Sequence, residues 1–210
     1  MANNYVSPTA IVHSKTYIGK NVNIYGNVVI EEGVIIEDNC IIGKPSNQEM
    51  VVFIENPSLD YNSISKEKTI IKKGTRIGCN AIIYSGANIG EYVEIEDNCK
   101  VGANSQIGTK TRIMYNAQVY NRVKIGANCR ISGFICNETI IEDFVSFFGK
   151  TVHKYKEYSN VSTSQPTPKI NKNAIIGFDS ILVGGITIGE NAYVGANLIV
   201  TRDLEPNGKL

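Results

Sequence analysis

The chain holds two histidines, His13 and His153. His153 stands at the head of a basic stretch formed by Lys150, Lys154, Lys156, Lys169 and Lys172, with only Glu157 against them. A neutral imidazole can take a proton from an attacking amine or hydroxyl near neutral pH. A local positive field favours an anionic ligand such as a nucleotide or coenzyme phosphate. The same residues also describe a solvated lysine-rich loop with an ordinary loop histidine. His13 follows the aliphatic Val12 and reads as a structural or surface residue. Two histidines are too few for a three-histidine zinc centre, so no metal is expected. The five cysteines show no metal-type spacing and fit a reducing cytoplasm better than a disulfide framework.

Something must position these groups, and composition limits what it is. In 210 residues, 42% are hydrophobic, 20% are charged and the net charge is +1, which suits one folded domain without a basic nucleic-acid surface. No apolar run approaches a membrane span, and Met1–Tyr5 has neither a basic nor an apolar leader segment, so a cytoplasmic protein is expected. Tryptophan is absent and aromatics are 8%, so the core needs a regular filler.

That filler is a repeat of six. Val6, Val12, Ile18, Ile24, Ile30, Ile36 and Ile42 recur in step, and the register resumes from Ile71 to Ile131. After a phase slip come Ile135, Ile141 and Phe147, then Ile170 to Val200 in the same step. Four residues after each aliphatic stands a small or medium side chain, and Cys40, Cys99 and Cys129 fill that slot as core residues. Three residues after it, Asn or Gly is frequent, for example Asn21, Asn80, Asn128 and Gly185; these types accept positive φ most readily. Six fits neither an α-helix nor a coiled coil, but it suits short strands joined by bends. The spacing predicts an all-β parallel β-helix over residues 1–210, a triangular prism of about nine coils and roughly 40 Å tall. Its stability is collective, since one coil cannot bury its own core. Two interruptions break the metre, at about 44–69 and 148–169, and loops of this length usually carry function.

These repeats resemble the hexapeptide-repeat acyltransferases, a family of left-handed parallel β-helices. The resemblance covers nearly the whole chain. It implies a homotrimer with active sites in clefts between prisms, and acetyl-CoA or another acyl-CoA lying along the coils as cosubstrate. The stretch Phe147–His153 is similar to the family's run out of a coil into a catalytic histidine. The C-terminal text Ile-Ile-Gly-Phe-Asp-Ser-Ile-Leu-Val-Gly-Gly-Ile and Tyr-Val-Gly-Ala-Asn-Leu-Ile-Val-Thr-Arg-Asp-Leu resembles the family's CoA-binding end. It departs at Gly184, where proline is usual, and at Arg202, where lysine is usual. On this resemblance Gly177, Gly195 and Ala196 leave room for a pantetheine arm, while Thr201 and Arg202 meet phosphate. The glycines and alanine also suit the bends alone.

The middle coils resemble transferases that acylate the amino group of a nucleotide-linked deoxysugar. The family's Arg-Glu-Gly is replaced here by Val101-Gly102-Ala103-Asn104. Ser85, Glu96, Asp97, Tyr115 and Asn116 are then the acceptor-binding candidates, each also explicable as a structural residue. Two alternatives stay open: O-acylation of a sugar or serine hydroxyl, and a non-catalytic binding or assembly prism.

Overall fold

The computed structural model describes residues 3–154 and 165–210. Three parallel sheets of 10, 9 and 9 strands form the walls of the prism, called here faces I, II and III in chain order. Each coil passes through I, II and III, and strands stack on those one coil away. The winding matches the left-handed parallel β-helix that the family resemblance implies, with about ten turns. Most strands are two residues long, an outward residue followed by an inward aliphatic.

Every aliphatic of the six-residue register is buried except Val6, Val12 and Ile18. Those three belong to the first coil, which has no described strand above it. The corners work as expected from their residue types. Asn21, Asn80, Asn98, Asn116 and Asn128 all have φ near +60°, and so do Tyr92, Lys110, Arg122, Glu138 and Phe144, which the stacked backbone forces there. Gly185 is a correction: positive φ falls on Gly184, because the strand Ile181–Val183 is one residue longer than most.

The first interruption lies between the strands Ile41–Lys44 and Thr69–Ile71 and holds α1, Asn47–Glu55. A capping box starts the helix: Glu49 N donates to Ser46 Oγ at 3.3 Å, and Ser46 N donates to Glu49 Oε2 at 2.6 Å. Phe53 and Tyr61 meet edge-on at 5.3 Å, and Tyr61 meets Tyr25 at 5.8 Å, fastening the insertion to face I. The second interruption starts later than the sequence suggests. Lys150–Val152 is still a strand of face I, so the chain leaves the prism only at His153 and returns at Lys169–Ile170 on face II. The two inward residues before it are four apart rather than six, Phe147 to Thr151, as are Ile131 and Ile135.

Candidate active site

Both insertions leave face I and return to face II, so both emerge on the same vertical edge of the prism. Ser85 follows the strand Ile82–Tyr84 on that edge, four rungs from His153 by way of the rungs of Val101, Val119 and Ile135, or roughly 19 Å. Ser85 is buried and donates to Glu49 Oε2 at 2.6 Å, which ties α1 to the edge. A cavity of about 250 Å³ opens there among Ser46, Gln48, Glu49, Val52, Lys66, Glu67, Ser85 and Asn104. It runs on past Ala103, Asn121 and Arg122. Arg122 is held by Glu138 on the next rung, with Nη2 2.8 Å from Oε1.

His153 lines a second cavity of about 310 Å³ with Tyr120, Phe134, Cys136, Asn137 and Val152. Tyr120 and Phe134 meet at a tilt of 46° with ring centroids 4.7 Å apart, and Lys100 Nζ sits 4.5 Å from the Tyr120 ring centroid. Asn137 is held in place by Asn121 N, which donates to its Oδ1 at 2.9 Å. This cavity presents an imidazole, a carboxamide and two aromatic faces to one space, a set suited to holding a flat or amphipathic group beside a proton acceptor.

Thr201 and Arg202 lie on the same edge, two rungs beyond His153, or roughly 10 Å. Arg202 is exposed and has no ion-pair partner among the described residues, so its guanidinium is available to an anion. The basic stretch is less positive than its sequence suggests. Lys150 Nζ pairs with Asp179 at 2.5 Å and Lys169 Nζ with Glu142 at 3.0 Å, and Lys172 Nζ lies 5.7 Å from the Phe144 ring. Lys156 and Glu157 lie outside the described residues.

The other candidates stand elsewhere. Glu96, Asp97, Tyr115, Asn116, Gly177, Gly195 and Ala196 all occupy the edge between faces III and I. Glu96 accepts from Tyr115 N at 2.7 Å and from Arg112 Nε. Asp97 Oδ1 accepts from Cys79 N at 2.9 Å, and Asn116 N donates to Asp97 O at 3.0 Å. The Tyr115 side chain is exposed. A Cβ on Gly177 would stand 2.6 Å from Ala196 N, so the next coil itself uses that glycine. Within one chain, then, Ser85, His153, Thr201 and Arg202 share an edge, and the remaining seven do not join them. Among the described residues, Glu37, Cys79 and Asp97 bring three metal-capable atoms within 4.8 Å. Arg76 already holds Glu37 at 2.8 Å, which opposes a cation.

The departure at Gly184 has a structural reason. Its φ is +76°, which proline cannot adopt, and a Cβ there would stand 2.6 Å from Lys154 Cβ. At Gly185 a Cβ would stand 2.8 Å from Pro166 Cβ. The glycine pair lets both ends of the second insertion lie on the coil below it.

The comparisons bear on the same features. A family profile described as "Bacterial transferase hexapeptide (six repeats)" matches residues 2–45 and 74–109, and one described as "Hexapeptide repeat of succinyl-transferase" matches 169–202. Together these take in more than half of the chain. The chain belongs to the hexapeptide-repeat acyltransferases. Among relatives of this family, the bifunctional protein GlmU of Alkaliphilus oremlandii is 31% identical over 206 residues, which is 98% of this chain and 40% of that protein. GlmU of Clostridium kluyveri is 28% identical over 208 residues, again 40% of its length. The chain therefore spans about two fifths of the curated relatives it matches. Among solved structures, LpxA of Bacteroides fragilis, a UDP-N-acetylglucosamine acyltransferase, superposes with a TM-score of 0.51 at 21% identity, covering 98% of this chain and 68% of that one. It shares the fold.

The two gaps between matched segments, 46–73 and 110–168, contain both insertions and the His153 cavity. Sequence reasoning missed Glu49, Tyr120, Phe134, Cys136 and Asn137. Ser46 and Glu49 carried a readable signal, the Ser-x-x-Glu capping box. The other four are read only once the coils are stacked.

Proposed function

We propose that this acyltransferase moves an acyl group, acetyl foremost, from acyl-CoA to the amino group of a nucleotide-linked deoxysugar. The observation that carries the reading is the order along one edge: the α1 cavity, then His153, then Arg202. An elongated acceptor would lie from α1 toward His153, and the donor from His153 toward Arg202. The amine lone pair attacks the thioester carbonyl carbon; the C–N bond forms as the C–S bond breaks. His153 takes the amine proton and returns it to the departing thiolate sulfur, so the free thiol leaves and the imidazole is neutral again. Backbone N–H groups along the groove would hold the developing oxyanion. Arg202 and Thr201 would bind donor phosphate, and Gly177, Gly195 and Ala196 would border the pantetheine arm if a neighbouring prism brings their edge to the groove, as in a homotrimer. The cytoplasm, where five free thiols stay reduced, suits this chemistry.

His153→Ala tests the base. The substitution is expected to lower kcat by roughly 10²- to 10⁴-fold and to flatten the ascending limb of the pH–rate profile. An unchanged profile would leave the protein a positioning role alone. A hydroxyl acceptor needs the base more than an amine does, so sizeable residual activity in that variant favours the amine over O-acylation.

A further inference from the structure

Every described inward position of face I is aliphatic except one. On the rung of His153 the inward residue is Thr151, fully buried. The ladder is broken at the same place. Between the strands Phe134–Ile135 and Lys150–Val152 only Phe134 and Lys150 pair, whereas the rungs on either side also pair inward, Val119 with Ile135 and Thr151 with Leu182. On the two rungs above, the residue after the inward one donates to the inward carbonyl of the next coil: Gly102 N to Val119 O at 2.8 Å and Tyr120 N to Ile135 O at 3.0 Å. Cys136 N instead donates to the Thr151 hydroxyl, at 2.9 Å.

The protons of this knot can be assigned. Thr139 donates its one hydroxyl proton to Cys136 O at 2.9 Å. In the 3.1 Å pair between Thr139 and Thr151, the proton must therefore come from Thr151. By the same count the Cys136 thiol donates to Thr139, at 3.3 Å. Two buried hydroxyls thus hold Cys136 from both sides in place of a closed ladder. Other buried hydroxyls in the prism, such as Thr75, Ser105, Thr111 and Ser180, sit at corners and bond the adjacent coil's carbonyl without opening a sheet. Cys136 on one side of the break and Val152–His153 on the other are walls of the cavity of about 310 Å³.

We propose that Thr151 is a positioning residue: its hydroxyl keeps the sheet open on this rung, and so keeps a reaction-sized space beside His153. This rests on the reading of His153 as the base of acyl transfer. An aliphatic residue would make the inward row of face I continuous, let Cys136 N bond the carbonyl of position 151, and draw the walls together.

The test uses T151V and T151S in the full chain. T151V is expected to unfold at or above the wild-type temperature and to keep KM for acetyl-CoA within about twofold, while kcat falls roughly 10- to 100-fold. T151S keeps the hydroxyl and is expected to restore most of kcat. A crystal structure of T151V should show Cys136 N bonded to the carbonyl of position 151 and a smaller cavity. Wild-type kcat in T151V beside an impaired His153→Ala would overturn the proposal, and so would T151S as impaired as T151V. If the wild-type protein transfers acyl groups to no acceptor, the acyl-transfer reading fails; the T151V structure still decides the rest, since an unclosed ladder refutes the role of the hydroxyl.

Discussion

Replacing Gly184 by proline should damage this protein. Gly184 has φ +76°, its N–H donates to Val152 O at 2.8 Å, and a Cβ would meet Lys154 Cβ at 2.6 Å. Alanine would pay only for the left-handed backbone and the crowding, about 1–2 kcal/mol. Proline cannot take that φ at all and also deletes the donor, so about 3–5 kcal/mol is expected. For a chain of this size, each kcal/mol lowers Tm by about 2–4 °C, which gives about 6–20 °C for G184P. Thermal unfolding followed by circular dichroism at one fixed protein concentration measures this. Gly195→Ala is the control, since its φ is not positive and the nearest atom to the added Cβ is 3.2 Å away. A G184P variant melting with wild type would refute the argument that this glycine is imposed by the path of the second insertion.

Other expectations follow from the same structure. Ile113→Ala, at a fully buried position mid-prism, should cost about 2–5 kcal/mol of stability in urea unfolding. Arg202→Glu should weaken acetyl-CoA binding by roughly tenfold or more, with a reduced salt dependence, in calorimetric titration. Burial pushes the Cys40 thiol up to about 12 and those of Cys99 and Cys129 to about 11. The unfolded chain therefore loses these protons first, so their contribution is full below about pH 9 and declines as pH rises toward the folded values. Stability should drop between pH 9 and pH 11, and a variant with alanine at all three positions should show a shallower slope in chemical denaturation over that window.

Much of this fold was legible because a solenoid repeats one local rule. The aliphatic at each sixth position, the small residue four later and the Asn or Gly at the bend are set by packing within a coil, and each reads the same at Ile24 as at Ile188. The candidate site was less legible. Residues eighteen apart share an edge only while the metre holds, and two insertions and two four-residue steps reset that count. Glu96, Asp97, Tyr115 and Asn116 were acceptor candidates through the family resemblance, yet Asn116 is an ordinary corner of the repeat, and Glu96 and Asp97 spend their carboxylates on Arg112 and on backbone N–H groups. His153 was visible as one of only two histidines, whereas its neighbours Tyr120, Phe134 and Asn137 come from two earlier coils and are gathered only by stacking. Thr151 hid behind a shortened corner, where the expected aliphatic position had moved by two residues.

The most direct test of acyl transfer on this edge is release of free thiol from acetyl-CoA, measured against a panel of nucleotide-linked amino sugars with the acetylated product identified by mass. One acceptor should give thiol and amide in equal amounts, with the rate falling steeply in His153→Ala. No thiol release with any amine at millimolar donor, or turnover indifferent to His153, would contradict the account.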